Sequence, residues 1–550
     1  MKPFTVKFRA FELACIIMFK RCLYVILVLI LFVKAVFAQT PFPDIDVQHY
    51  TFSIILNDEN DDIKGKAAVT INFLNDAAQF ELNLVKKDNT GKGMLVSGVT
   101  EGGKSLRFAQ DSDVVNIYST AKGQSTHTYT INYEGVPADG LIISTNKFGH
   151  RTFFGDNWPN RAHNWLPCAD YTADKATVDF IVTAPDHYTV VANGLKMDEK
   201  ELSDHNKLTH WHESVSLPTK VMVIGVADFV VDQSGTIPVD SGKGIPVYSY
   251  VFAENKNAGF KSYAYAPEIL TWYIKKFGPY AYEKLANVQS KTIFGGMENA
   301  SAIFYFENSV GDKGVEELMA HEIAHQWFGD AVTETSFKNL WLSEGFATYM
   351  TNCYLEHKYG SDTLKKRMAK DRKKVIRFER ERLTPVVDTA VKRNYLQLLN
   401  ANSYEKGAWV LHMLRRKLGD TIFWKGIRAY YAKYENLNAN TTDFEKIMEE
   451  VSGLDLSAFF KQWLYTSGHP HVLFKWAYDT VKKEVQINIT QKQNTLFEFP
   501  LEYKLDGQLY TVNIKDKETT VNIPSADKPG AIMIDPDVNL LADFEVAEHD

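Results

Sequence analysis

The sequence predicts a multidomain α+β protein with an N-terminal antiparallel β domain, a mostly helical middle domain and a C-terminal β-sandwich. The chain has 550 residues, which is too many for one hydrophobic core. Apolar and polar residues alternate near both ends, whereas the middle has the three-to-four-residue spacing of helices. Hydrophobic residues make up 45% and charged residues 23%, which is typical of globular proteins and excludes a disordered or fibrous chain.

The first 38 residues have the pattern of a secretory signal peptide. Lys20 and Arg21 precede an apolar run over residues 22–33, and Val36 and Ala38 stand at the −3 and −1 positions of a cleavage site. The alternative is a membrane anchor, but the run is short for a bilayer span. We therefore expect cleavage after Ala38, a periplasmic or secreted protein, and no stable membrane span after cleavage.

The net charge argues against nucleic-acid binding, and the two cysteines of the mature chain are too few for a disulfide scaffold. Cleavage removes six basic residues and one acid, so the net charge changes from −7 to about −12. An acidic protein lacks the positive surface that binds nucleic acid, and the basic run at residues 365–382 is expected to be a solvated helix face. Cys168 and Cys353 remain, and we expect two free buried thiols, although one disulfide is possible.

The three predicted domains follow from the change in periodicity. Residues 39–244 contain alternating segments such as 50–56 and 69–73, separated by Asn, Asp and Gly turns, which indicates antiparallel strands. Alternation returns after residue 468, so residues 468–550 are assigned to the β-sandwich. Residues 245–467 form the helical domain, with residues 286–306 extended as a small sheet. Its predicted helical segments are 258–277, 315–328, 340–359, 406–418, 421–434 and 442–451.

The clearest chemical pattern is His-Glu-Ile-Ala-His at residues 321–325. Residues four apart lie on one face of a helix, so His321 and His325 can bind the same metal ion. Glu322 lies beside them, where it can take a proton from water at the metal.

A third ligand is expected from a second helix. Catalytic zinc usually has three protein ligands and one open position. Glu344 lies 19 residues after His325, beyond a predicted break at Gly329, and a hairpin of two helices can bring its carboxylate to the histidines. We predict one zinc ion per chain.

Upstream, Gly295, Gly296, Met297 and Glu298 precede an asparagine. The glycines allow a backbone to approach a ligand closely, and an extended segment beside a metal can pair with a peptide as an added strand. Glu298 could then bind the α-ammonium group of a peptide, which would restrict cleavage to the amino end. Taken alone, the segment favours an ordinary turn, and only the neighbouring motifs change that interpretation.

Together these motifs resemble the aminopeptidase N and leukotriene hydrolase family of zinc metallopeptidases, the gluzincin aminopeptidases. The family hallmarks are Gly-x-Met-Glu-Asn and His-Glu-x-x-His followed, after 18 intervening residues, by Glu. The resemblance extends over essentially the whole mature chain and implies a thermolysin-like fold for residues 245–467. Further matching segments are His49-Tyr50 and residues 166–170, 325–329 and 403–407.

The resemblance implies a role for each residue of the metal site. His321, His325 and Glu344 would bind zinc, and Glu322 would act first as general base and then as general acid. Tyr404 would donate a hydrogen bond to the tetrahedral oxyanion.

On the substrate side, Glu298 would hold the ammonium group, and Gly295, Gly296 and Met297 would line the pocket for the first residue. The expected activity is zinc-dependent removal of the N-terminal residue from peptides with a free amino end. The oligomeric state stays open.

Three departures from the family pattern affect these expectations. Members often have a glutamine before the Pro-Cys segment, but residues 155–161 contain none, and Asp156 or Asn157 could replace it. Leu396 and Leu399 stand where the leukotriene hydrolase branch has Asp and Tyr, so epoxide hydrolysis is not expected. Many members also end in a large helical domain; this chain resembles a short form without it, for which a more open cleft is expected.

Two other functions stay open from the residues alone. A zinc endopeptidase would cleave substrates with blocked amino ends and would be indifferent to Glu298→Ala. A non-catalytic peptide-binding protein could use the same scaffold, although the complete set of predicted metal-site residues argues against it.

Overall fold

In the computed structural model, the described residues are 42–239, 242 and 244–548. The predicted signal peptide lies outside them. Within this part of the chain, no helix combines the length and the apolar character that crossing a bilayer requires.

The N-terminal part is built from strands, as predicted. Eight of them form one sheet in the order β13-β14-β11-β1-β2-β8-β4-β5, and two smaller sheets have the orders β12-β15-β10-β9 and β3-β7-β6. The strands are β1 (Ile45–Ile55), β2 (Ile63–Phe73), β3 (Phe80–Asn83), β4 (Gly93–Glu101), β5 (Lys104–Ser105), β6 (Arg107–Asp111), β7 (Val114–Tyr118), β8 (Ser125–Val136), β9 (Leu141–Thr145), β10 (Arg151–Gly155), β11 (Ala176–Pro185), β12 (Thr189–Ala192), β13 (Leu195–Glu201), β14 (Asn206–Leu217) and β15 (Ile224–Ala227).

One strand pair differs from the antiparallel pattern expected there. β1 and β11 run parallel, with His49 opposite Thr177 and Ile55 opposite Thr183, whereas β2 and β14 flank them in antiparallel register. Alternation reports only which side chains face the core, and both strand directions bury Tyr50, Phe52 and Ile54 equally.

The middle part combines helices with a five-stranded sheet in the order β16-β17-β18-β20-β19. Its strands are β16 (Phe229–Ile237), β17 (Ile245–Phe252), β18 (Leu285–Ser290), β19 (Gly296–Met297) and β20 (Ala302–Phe306), and β21 (Thr333–Glu334) pairs with β22 (Asn438–Ala439). The helices are α1 (Lys256–Tyr263), α2 (Ala266–Phe277), α3 (Val315–His325), α4 (Trp341–Tyr359), α5 (Ser361–Glu381), α6 (Gly407–Leu418), α7 (Asp420–Tyr434), α8 (Thr441–Ser452) and α9 (Ser457–Phe460).

The expected extended segment at residues 286–306 is confirmed, but the helix expected at 258–277 is two helices. Pro267 lies in the first turn of α2, where the missing amide proton costs nothing, so a new helix begins there. The basic run lies on α5, which buries Leu364, Met368 and Val375 and turns most of its basic side chains outward.

The C-terminal part forms two sheets, in the orders β27-β24-β23-β29 and β26-β25-β28. Phe474 of one sheet and Tyr503 of the other are buried and their ring centres lie 5.4 Å apart, so the sheets pack face to face. The strands are β23 (His471–Asp479), β24 (Glu484–Gln491), β25 (Phe499–Leu505), β26 (Gln508–Ile514), β27 (Glu518–Pro524), β28 (Ile532–Ile534) and β29 (Asp543–Glu548).

Both cysteines of the described chain, Cys168 and Cys353, are buried and free. Burial raises the pKa of each thiol, to about 12 for Cys353. The expectation of two free buried thiols rather than a disulfide is confirmed.

Candidate metal centre and substrate cleft

The two histidines of α3 point at one place. The Nε2 atoms of His321 and His325 lie 3.1 Å apart, and their rings are nearly perpendicular. The helix ends at His325, and Gly329 follows with a φ of 130°, which a residue with a side chain adopts rarely. The predicted break after the first helix is therefore confirmed.

α4 brings the third group, as the hairpin prediction required. Oε2 of Glu344 lies 3.3 Å from Nε2 of His321 and 3.2 Å from Nε2 of His325. Tetrahedral zinc with ligands at about 2.0–2.2 Å needs donor atoms roughly 3.3 Å apart, so the three atoms fit one zinc ion. Among the described residues this group has three members, which is the ligand number of a catalytic site.

A second layer of contacts holds His325. Its Nδ1 lies 3.1 Å from the carbonyl oxygen of Phe328 and 3.0 Å from the hydroxyl of Ser343. A proton on Nδ1 leaves the lone pair of Nε2 directed at the metal position, which is the usual arrangement of metal-binding imidazoles. Ser343 was not singled out in the sequence, although it directly precedes Glu344.

Buried carboxylates give the centre a strongly negative character. Burial alone would lower the pKa of His325, but the charges of Glu344 and Glu298 outweigh it and raise that pKa to about 10. Burial raises the pKa of Glu322 well above its usual value, and the carboxylates of Glu298 and Glu344 add to the effect. A divalent cation would relieve this concentration of negative charge.

The segment that carries Glu298 lies directly against Glu322. β19 pairs with β20, and a Cβ atom added to Gly296 would lie 2.2 Å from Oε1 of Glu322. Only glycine fits there. Gln326 also ties the segment to α3, because its side-chain amide donates a hydrogen bond of 2.7 Å to the carbonyl oxygen of Glu298.

The Glu298 side chain is buried, yet its Oε1 has no hydrogen-bond partner among the described residues. An unpaired buried carboxylate oxygen is costly, so this atom is suited to a positively charged ligand.

Tyr404 lies next to His321 in the cleft. It belongs to a π-helical turn, Asn402–Lys406, and its ring stacks on the His321 ring with centres 6.0 Å apart. Burial and the nearby Glu344 raise the pKa of Tyr404 well above its usual value, so the hydroxyl stays protonated and can donate a hydrogen bond.

All nine residues predicted for the site line one cleft of about 280 Å³. Four further residues that line it were not predicted as site residues: Trp158, Phe294, Leu318 and Leu399. Phe294 and Leu318 could have been found, because they are sequence neighbours of the two motifs. Trp158 lies outside both motifs, but it belongs to residues 155–161, which the comparison with the family pattern singled out.

The suggested replacements for the missing glutamine do not reach the cleft. The Asp156 carboxylate accepts hydrogen bonds from Arg161, Thr292 and the backbone of Ile293. Asn157 is also buried, and both ends of its side-chain amide are hydrogen bonded. Neither residue lines the cleft, so the structure gives no support to the suggestion that either side chain binds an ammonium group.

The cleft continues into a second cavity of about 330 Å³, and the two share Leu318, His321 and Tyr404. The second cavity is lined by charged side chains that pair with one another. Arg367 binds Glu317 through two hydrogen bonds, and Lys374 binds Glu405.

Comparison with known proteins identifies the family. The profile described as Peptidase M1 N-terminal domain matches residues 46–221, and the Peptidase family M1 domain matches residues 262–463. Together they span more than half of the chain.

Curated relatives agree with these matches. Leucyl aminopeptidase of Saccharolobus solfataricus is 26% identical over 447 residues, which cover 78% of this chain and 55% of that protein. Human glutamyl aminopeptidase is 27% identical over 387 residues, which cover 68% of this chain and 39% of that protein. The chain thus spans about half the length, or less, of these relatives, and their names differ in the residue that is removed.

Two solved structures share the fold. The aminopeptidase A of Legionella pneumophila, solved with aspartic acid, matches with a TM-score of 0.78 at 16% identity, over 91% of this chain and 60% of that one. A mutant of an M1 zinc metallopeptidase from Deinococcus radiodurans matches with a TM-score of 0.65 at 20% identity, over 78% of this chain and 96% of that one. The two family profiles, the relatives and the shared fold lead to one conclusion: this chain belongs to peptidase family M1.

Proposed function

We propose that the protein is a zinc-dependent aminopeptidase that hydrolyses the first peptide bond of peptides with a free amino end. The observation that carries the proposal is the placement of the unpaired Oε1 of Glu298 in the same cleft as the three converging atoms of His321, His325 and Glu344. A carboxylate beside a metal site gives the cleft a fixed position for a positive charge next to the reacting bond.

His321, His325 and Glu344 would hold one zinc ion. When bound, zinc would supply a Lewis acid for the scissile carbonyl and would lower the pKa of the attacking water.

Glu322 would move the proton. Its carboxylate accepts a proton from the attacking water and later delivers that proton to the nitrogen of the leaving peptide, so the number of protons is conserved. Burial raises the pKa of Glu322, so its carboxylate is a stronger base toward the attacking water than an exposed glutamate would be.

Two further residues would set the register of the substrate. Glu298 binds the α-ammonium group by a charge-assisted hydrogen bond, which an interior peptide bond cannot offer. The protonated hydroxyl of Tyr404 donates a hydrogen bond to the carbonyl oxygen as negative charge develops on it. The remainder of the peptide then extends past His321 and Tyr404 into the second cavity.

The test compares peptides with free and acetylated amino ends on wild type and Glu298→Gln. We expect wild type to cleave only the free form, and Glu298→Gln to lose at least about 100-fold in kcat/KM on it, since one charge-assisted contact in a buried site is lost. Zinc content of the variant, unchanged from wild type, serves as the control for folding. Equal turnover of free and acetylated peptides would indicate an endopeptidase, and no turnover with bound zinc would indicate a binding protein.

We also propose that the protein is exported from the cytoplasm, because residues 20–38 have the pattern of a cleavable signal peptide. Expression of the full chain in a host with a periplasm should give a mature protein that begins at Gln39, as measured by intact mass. Retention of residues 1–38 in the membrane fraction would favour the anchor instead.

A further inference from the structure

Part of the cleft lining, here called the apolar wall, is made of apolar side chains. It consists of Trp158, Phe294, Met297 and Leu399, with Leu318 at the boundary to the second cavity. The rings of Trp158 and Phe294 meet edge to face with centres 6.0 Å apart, and Phe337 supports Trp158 from behind at 5.7 Å. Trp158 is only 2% exposed, so its ring is held in place by packing.

The positive groups near this wall cannot serve an acidic ligand. The guanidinium of Arg161 lies 5.9 Å from the Phe294 ring centre, but it is hydrogen bonded to Asp156 and Asp139. The ammonium of Lys220 lies 6.0 Å from the Phe337 ring centre, and it donates to Glu334 at 2.8 Å. Neither cation lines the cleft, and both are already paired with carboxylates.

The charged groups that line the cleft are all assigned to the metal, the ammonium group or proton transfer in the proposed function. They are Glu298, Glu322 and Glu344 together with the two histidines. An acidic side chain placed here would lose hydration, and neither Arg161 nor Lys220 is free to pair with it. The indole N–H of Trp158, which has no partner among the described residues, offers one neutral donor and does not replace that hydration. A large apolar side chain would instead bury its surface against two aromatic rings and Leu399.

We propose that this cleft selects peptides whose first residue is large, apolar and uncharged, and excludes aspartate and glutamate, with Trp158, Phe294 and Leu399 as the specificity-determining residues. The inference rests on the proposed function, because it takes Glu298 to hold the ammonium group and the metal side to hold the carbonyl. The side chain on the Cα between them then faces the apolar wall. Family membership leaves this choice open.

The test measures kcat/KM on aminoacyl reporter amides of leucine, phenylalanine, alanine, glutamate and aspartate. For wild type we expect leucine and phenylalanine to exceed glutamate and aspartate at least 100-fold, and to exceed alanine. Leu399→Arg, which places a cation in the wall, should raise the glutamate-to-leucine ratio at least tenfold.

Leu396→Arg is the matched control. Leu396 lies three residues earlier, is 47% exposed and does not line the cleft, so its substitution should leave the ratio unchanged. If wild type hydrolyses the glutamate and leucine reporters with equal kcat/KM, the proposal is overturned, even if Leu399→Arg fails to fold. It is also overturned if Leu399→Arg and Leu396→Arg change the glutamate-to-leucine ratio by the same factor. If the reporters are hydrolysed at equal rates, or those of glutamate and aspartate fastest, this inference alone is overturned. If the zinc-loaded protein hydrolyses no reporter with a free amine, the proposed function is overturned as well.

Discussion

Gly345 and Gly407 bring two helical segments into backbone contact beside the metal centre. A Cβ atom added to Gly345 would lie 2.8 Å from Cα of Gly407, and one added to Gly407 would lie 2.9 Å from Cα of Gly345. Gly345 directly follows Glu344, and Gly407 directly follows the π-helical turn that carries Tyr404. The contact therefore sets the separation between the carboxylate proposed to bind the metal and the hydroxyl proposed to stabilise the oxyanion.

Gly407→Ala should reduce turnover more than its effect on stability explains. The added methyl group must push the π-helical turn away from α4, and a displacement of about 1 Å can cost about 100-fold in rate. Overpacking should also lower the free energy of unfolding by about 1–3 kcal/mol. The measurements are kcat on a leucine reporter and denaturant unfolding.

Gly98→Ala is the control for that substitution, because a Cβ atom there meets no atom within 4 Å. If kcat of Gly407→Ala stays within twofold of the value for Gly98→Ala, the glycine contact does not position Tyr404.

Removal of one metal ligand should abolish zinc binding and activity together. Glu344→Gln loses the negative charge and one of three donor atoms, so we expect zinc affinity to fall by more than the 10–100-fold typical of supporting residues. The measurement is bound zinc after dialysis against a chelator of fixed affinity, alongside the rate on a leucine reporter. Wild type treated exhaustively with chelator should lose its rate and regain it on addition of zinc.

Glu356→Gln provides the matched change on the same helix. Glu356 pairs with Arg415 and does not line the cleft, so this variant should keep its zinc and its rate. Full activity of the chelated wild type would contradict the metal assignment.

Asp179 should make stability depend on acid pH. Burial alone would raise its pKa, but hydrogen bonds from His49 and His210 and the charge of His212 lower it from 3.8 to about 2. A carboxyl whose pKa is lower in the folded state stabilises the protein above its unfolded pKa and loses that effect as the pH falls through the folded value.

Asp179→Asn should accordingly be less stable than wild type by about 1 kcal/mol at pH 7, since partial solvation of the carboxylate weakens the effect of the histidines, and the difference should shrink between pH 4 and pH 2. Urea unfolding at several pH values measures it, with the exposed Asp232→Asn as control. A difference that is constant over this range would mean that the histidine contacts do not perturb Asp179.

Much of the fold and the metal centre could be predicted because both depend on local spacing. The i, i+4 spacing of His321 and His325 on a helix suffices to place two imidazoles on one face, and Gly329 marks the end of that helix. Alternation in the strands likewise identified the buried faces at both ends of the chain. The parallel direction of β1 and β11 could not be predicted, because both directions bury the same side chains.

By itself, the sequence determined the family, the order of strand-rich and helical parts, and the residues that can hold zinc. Only the tertiary structure decided that Trp158 meets Phe294 across 136 positions, that Ser343 supports His325, and that Gly345 lies against Gly407. Periodicity records which face of an element is buried, whereas the partner of that face depends on the packing of the whole chain. The wall proposed to select the first residue is made by such long-range packing, while the proposed chemistry at the metal is encoded within two short motifs, one carboxylate and Tyr404.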